Sequence, residues 1–122
     1  MSKKILIIED DTFLQGLAAS KLGKEGYEVI TALNGDEGVK MADVNLPDII
    51  LLDLVLPGLD GFDALAKIRK NDRLKKVPVV IFSNLAEEKD MIRATELGAN
   101  EFMVKSNFTL DELAAKIKNL IA

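Results

Sequence analysis

At 122 residues the chain can build one domain around one core, but not two. It is 48% apolar and 30% charged, as ordinary globular proteins are, and its apolar runs ("ILII", "IILL", "VVIF") are far too short to cross a bilayer. With no cysteine and no histidine it has no disulfide, no thiolate chemistry, no histidine zinc ligand and no histidine general base, and its net charge of −4 counts against nonspecific nucleic-acid binding.

The predicted elements alternate strand and helix about five times. "MSKKILIIEDD" meets acids too soon for a signal peptide, which suggests a cytoplasmic protein. Residues 4–9, "KILIIE", form a continuous apolar run without alternation, as in a strand covered on both faces. A helical pattern follows over roughly 12–24, stopped by Gly26. "YEVITA" (27–32) alternates and reads as a less buried strand. Asn34 and Glu37 are spaced as a capping box for a second helix, and Pro47 closes that unit. "DIILLDL" is a second fully apolar strand, and Asp60 can cap a helix over about 61–70. "KNDRLKK" reads as a polar connection. Pro78 leads into the strand "VVIFS", and a helix over about 86–97 ends at Gly98. "EFMVK" is a short strand. Thr109 and Glu112 make a capping box for the last helix, with Leu113, Ile117, Leu120 and Ile121 at helical spacing.

Strands alternating with helices imply a parallel sheet with helices on both faces. The first, third and fourth strands are apolar throughout and belong in the centre, while the second and fifth are more polar and belong at the edges. The order 2-1-3-4-5 satisfies this. It is the flavodoxin-like doubly wound α/β order, whose ligand crevice lies beyond the carboxyl ends of the strands. Residues 1–122 are therefore expected to form a single domain.

That order brings four strand ends together. They carry Glu9-Asp10-Asp11, Asp53, Ser83-Asn84 and Lys105. Each has an ordinary reading by itself. Asp10 or Asp11 could cap the first helix, Asp53 could be tied to backbone amides, Ser83 and Asn84 suit a turn, and Lys105 could snorkel out of the sheet. Together they suggest chemistry. Two carboxylates about 4 Å apart repel by roughly 4 kcal/mol at an effective dielectric near 20, so either one is protonated or a cation neutralises them. All the ligands on offer are oxygens, which favours a hard divalent ion, Mg²⁺ or Mn²⁺. A site so neutralised can hold a phosphoryl group. Asp53, the only one of these acids flanked by apolar chain on both sides, is the candidate nucleophile.

In its motifs "ILIIEDD", "DIILLDLVLPGLDG", "VVIFSN" and "LGANEFMVKS", and in its amphipathic last helix, the whole chain resembles the receiver domain of bacterial two-component response regulators. The resemblance implies that Asp53 is the phosphoacceptor for a histidine kinase or phosphotransfer protein. It also implies that Asp10 binds Mg²⁺ directly, Glu9 binds it through water, and the Val55 backbone carbonyl is a further ligand. Lys105 would pair with phosphoryl oxygens. Ser83 would be the switch hydroxyl, Phe102 the aromatic that turns when Ser83 moves, and Pro57 and Gly61 would shape the loop after the acceptor. The face made by helix four, strand five and helix five would change shape for an unknown downstream protein, and is where a phosphorylation-dependent dimer would form. Neither direct nucleic-acid binding nor a membrane is expected. Such a domain is part enzyme and part substrate in its own phosphorylation and dephosphorylation.

The chain departs from the family pattern at three places. Asn84 replaces a small residue, and Phe102 replaces the commoner tyrosine. Ser106 replaces a proline that follows a cis bond. A cis bond before a non-proline residue costs about 3–4 kcal/mol, against about 0.5–1 before proline, so a trans Lys105–Ser106 bond and a shifted loop are expected. Apolar Val55 and Leu85, each two residues past a key side chain, predict a long-lived phosphoryl group.

Three other readings compete. An aspartate-nucleophile phosphohydrolase needs a second acid two residues after the nucleophile, where this chain has Val55. A flavin or nucleotide module needs a glycine- or hydroxyl-rich loop after strand one, where this chain has three acids. The third is a receiver-like module that binds partners without being phosphorylated. The last residue, Ala122, leaves a stand-alone protein and an excised domain as the options.

Overall fold

The computed structural model describes residues 2–121. Five strands, β1 (Lys4–Ile8), β2 (Glu28–Ala32), β3 (Ile49–Leu52), β4 (Val79–Ser83) and β5 (Glu101–Val104), alternate with five helices, α1 (Thr12–Lys24), α2 (Gly35–Asn45), α3 (Gly61–Lys70), α4 (Glu88–Glu96) and α5 (Leu110–Ile121). All strand pairs are parallel, in the order β2-β1-β3-β4-β5. This is the order read from the burial pattern. β3 and β4 are buried at every position, whereas β2 is buried only at Ala32.

Side chains alternate across the sheet and feed two apolar layers. Leu6, Ile8, Ile50, Leu52, Val79 and Ile81 meet Ala42, Leu65, Ile68 and Ala94 of α2, α3 and α4. Ile5, Ile7, Ile49, Leu51, Val80 and Phe82 meet Ala18, Leu22, Leu113 and Ile117 of α1 and α5. The central strands are apolar on both faces because helices cover both.

The caps form where the sequence placed them. The Asn34 side chain accepts from Glu37 N at 2.8 Å, and Asp60 accepts from Asp63 N at 2.9 Å. The last box is reciprocal. Glu112 N donates to Thr109 Oγ1 at 3.1 Å, and Thr109 N donates to Glu112 Oε1 at 2.9 Å. Helix α2 ends at Leu46, whose left-handed backbone (φ 49°) turns the chain before Pro47. Gly98 follows α4 with φ 107°, a backbone that favours glycine, and a Cβ there would lie 2.8 Å from Arg69 Nε and push that side chain aside. On α4, Arg93 stacks 4.1 Å from the centre of the Phe62 ring on α3.

Two expectations change. The "KNDRLKK" connection contains a 3-10 turn, Asp72–Leu74, whose last residue is buried in the core. A single leucine between charged residues carries no periodicity, yet burying it contributes about 1.5–3 kcal/mol. Helix α4 is shorter than the expected 86–97 at both ends, and Glu87 at its start makes no side-chain cap. No peptide bond among the described residues is cis, so Lys105–Ser106 is trans as expected, and Lys105–Asn107 form a 3-10 turn after β5.

Candidate functional site

The sheet's own ladder delivers the acids. Asp53 N donates to Ile8 O at 3.0 Å and Glu9 N to Ala32 O at 3.0 Å, so both residues extend the pairing past the carboxyl ends of β3 and β1. Their side chains are buried beside each other, at 5% and 4% exposure. Lys105, on the first residue after β5, reaches across β4 to both. Its Nζ lies 2.7 Å from Glu9 Oε1 and 2.8 Å from Asp53 Oδ2. The remaining carboxylate oxygens are held by backbone. Val55 N donates to Asp53 Oδ1 at 3.1 Å, and Asp11 N to Glu9 Oε2 at 3.1 Å.

The two acids that follow Glu9 divide the work. Asp11 caps α1, accepting from Phe13 N at 3.0 Å and Leu14 N at 3.1 Å. That leaves the exposed Asp10 carboxylate to the cleft, where oxygens of Glu9, Asp10 and Asp53 lie within 4.8 Å of one another. The cleft measures about 270 Å³ and is lined by Glu9, Asp10, Asp11, Asp53, Val55, Asn84 and Lys105. Gly61 packs against the backbone that carries Asp53. Gly61 N donates to Leu54 O at 3.0 Å, and any Cβ at 61 would collide with the backbone of Asp53 and Leu54.

Ser83 and Phe102 are set back. The Ser83 hydroxyl is fully buried, accepts from Leu85 N at 3.4 Å and does not line the cleft. Phe102 is half-buried against the core layer shared with α3 and α4. Pro57 is exposed in the loop between the buried Leu56 and Gly58. One contributor escapes sequence reasoning. Gln15 Nε2 donates to Glu9 O at 3.1 Å and Ala32 O at 3.0 Å, pinning the ends of β1 and β2. An exposed-looking glutamine on a helix carries no signal for this.

The charges are unbalanced, since three carboxylates face one ammonium. Burial pushes the Glu9 carboxyl above the usual range. The Lys105 hydrogen bond and Asp11 N–H pull it back in part, while the Asp53 charge adds to the rise. Burial alone would lower the Lys105 ammonium, but its hydrogen bonds to Asp53 and Glu9 outweigh this and hold it above its ordinary value. The donor set fits a hard divalent cation. It consists of carboxylate oxygens from two strand ends, with neither nitrogen nor sulfur ligands, among residues that line the cleft.

Residues 5–118 match the response regulator receiver domain family. The chain belongs to that family.

Its relatives include the alkaline phosphatase synthesis transcriptional regulatory protein PhoP of Bacillus subtilis, 36% identical over 99% of this chain and 49% of that protein. The response regulator PleD of Caulobacter vibrioides is 40% identical over 86% of this chain and 23% of that protein. This receiver domain thus spans about half the length, or less, of the curated relatives it matches. Among solved structures, the receiver domain of a sensor histidine kinase from Pseudomonas aeruginosa superposes with a TM-score of 0.89 at 29% identity, covering 99% of this chain and 98% of that one. That domain was solved with a magnesium ion coordinated in its active-site cleft. No helix among the described residues of this chain is long and apolar enough to cross a membrane.

Proposed function

We propose that the protein is a phosphorylation-dependent signalling switch that accepts a phosphoryl group on Asp53. The observation that carries this reading is the pairing of one partly buried lysine with two buried acids on the wall of an open acidic cleft. A structural ion pair has no need of the third acid, Asp10. A phosphoryl site needs the surplus, because the surplus holds a divalent cation.

In the proposed reaction an Asp53 oxygen attacks the phosphorus of a phosphohistidine in line. The phosphorus–nitrogen bond breaks, its electron pair stays on the imidazole of the histidine kinase or phosphotransfer protein, and the imidazole takes a proton from solvent. Phosphoryl transfer asks chiefly for positioning and charge neutralisation. Asp10, Asp53 and the Val55 carbonyl would hold the metal, with Glu9 supporting it through water. When bound, Mg²⁺ (or Mn²⁺) supplies positive charge against the phosphoryl oxygens. Lys105 turns from Asp53 towards the product. Val55 N–H and Gly61 hold the acceptor and its loop in place.

The new charge then draws the Ser83 hydroxyl forward. Its bond to Leu85 N is long and easily exchanged, and Phe102 repacks into the space released. The output is a changed surface on α4, β5 and α5 that an unidentified downstream protein or a second copy of the chain reads, in the cytoplasm. Apolar Val55 and Leu85 give a hydrolytic water no side-chain partner, which supports slow loss of the group. The domain is part enzyme and part substrate.

Incubation with acetyl phosphate and Mg²⁺, followed by intact mass, tests the reading. The parent protein should gain one phosphoryl group and an Asp53→Asn variant none. Equal labelling of the two, or labelling of neither, would sink it.

A further inference from the structure

We infer that the side-chain amide of Asn84 donates a hydrogen bond to the phosphoryl group on Asp53, and does so before Ser83 can. This deepens the proposed function and rests on Asp53 being the acceptor.

Hydrogen-bond donors are scarce in the cleft. Glu9, Asp10, Asp11 and Asp53 only accept when ionised, and the Val55 side chain offers nothing polar. Lys105 and Asn84 are the only lining side chains that carry N–H groups. Two of the three Lys105 protons are committed to Glu9 Oε1 and Asp53 Oδ2. A phosphoryl group brings three terminal oxygens, all acceptors, into this space. The Asn84 side chain is exposed on the cleft wall, and no hydrogen bond within the described residues engages it.

Ser83 is differently placed. Its hydroxyl is fully buried and points back to Leu85 N, so it meets a phosphoryl oxygen only after the Asn84–Glu87 segment shifts. Asn84 needs no such movement. The two donors therefore act in succession. Asn84 holds the phosphorylated protein before the loop rearranges, and Ser83 holds it afterwards. A carboxamide at this position acts as a first clasp, making capture of the group partly independent of the conformational change that follows.

Beryllofluoride, tetrahedral and anionic like the phosphoryl group, is the probe, titrated in Mg²⁺ buffer and followed by amide NMR. In the parent protein the Asn84 side-chain amide resonance should shift with saturation. Asn84→Ala should bind the probe about tenfold more weakly, equivalent to about 1.4 kcal/mol, with unchanged Mg²⁺ affinity and an unchanged melting temperature without the probe. If the residue merely crowds the cleft, Asn84→Ala binds as well or better. A loss under about threefold, well below what a hydrogen bond to a charged group contributes, or a stationary Asn84 resonance overturns the inference. A parent protein that binds no beryllofluoride, or an Asp53→Asn variant that binds it equally, overturns the underlying acceptor reading as well.

Discussion

The two ends of the sheet treat charge in opposite ways. At the amino end several polar side chains have complementary partners. Asp48 accepts from Lys4 N at 2.7 Å, and Asn100 accepts from Val79 N at 2.8 Å. Arg69 donates to Gly98 O, Leu74 O and Asn100 Oδ1. Asp43 sits below the usual carboxylate range, held first by the Asn71 amide and then by Arg73. At the carboxyl end like charges are crowded together. Glu9 and Asp53 share Lys105, the Asp10 carboxylate lies beside them, and Glu9 is pushed up by its burial. One end stabilises strand starts and loop closures. The other gathers carboxylates in an arrangement that fits a divalent cation.

Removing Lys105 should expose this contrast most strongly. Lys105→Met leaves two buried carboxylates facing each other, and losing one partner of a buried pair costs about 3–5 kcal/mol. Urea melts should show that loss in chelated buffer and a partial recovery in Mg²⁺, because metal binding adds about 2.7 kcal/mol at a hundred times its Kd. An unchanged midpoint would mean the carboxyl end is not strained.

At the opposite end, Arg69→Ala strips donors from two half-buried carbonyls and should cost about 1–3 kcal/mol. The stabilisation added by Mg²⁺ should be the same as in the parent protein. A change in that increment would show that the two ends are coupled.

The smallest effect concerns pH. Glu9 has a raised folded pKa, so its contribution to stability is fully present below the unfolded glutamate pKa. That contribution is lost as pH climbs through the higher folded value. In metal-free buffer the parent should lose stability relative to Glu9→Gln across this window, from the ordinary glutamate range upward. Parallel stability curves for the two proteins would remove burial as the cause.

Much of this contrast is legible before folding. The order of strands follows from which runs are apolar throughout, because only a central strand of a doubly covered sheet hides both faces. Asp53 stands out because the carboxylate within "IILLDL" is flanked by apolar residues on both sides. Other features have no local signature. Asp10 and Asp11 are chemically the same, and only the entry of the chain into α1 decides which one caps it. Gln15 reaches Glu9 O and Ala32 O through the geometry of α1 against β1 and β2. Ser83 and Asn84 are adjacent polar residues of the kind found in turns, and only the folded chain decides that Ser83 is buried at the end of β4 while Asn84 lines the cleft.

Local pattern therefore determined the elements, their caps, the order of the sheet and the set of charged residues at its carboxyl end. Those depend on hydrophobic period and on short-range hydrogen bonding, which neighbouring residues carry. Tertiary structure decided which of those residues touch, which are buried and which face the cleft. Those depend on distances of a few ångströms between side chains that are far apart in the chain, Lys105 and Asp53 being fifty-two residues apart.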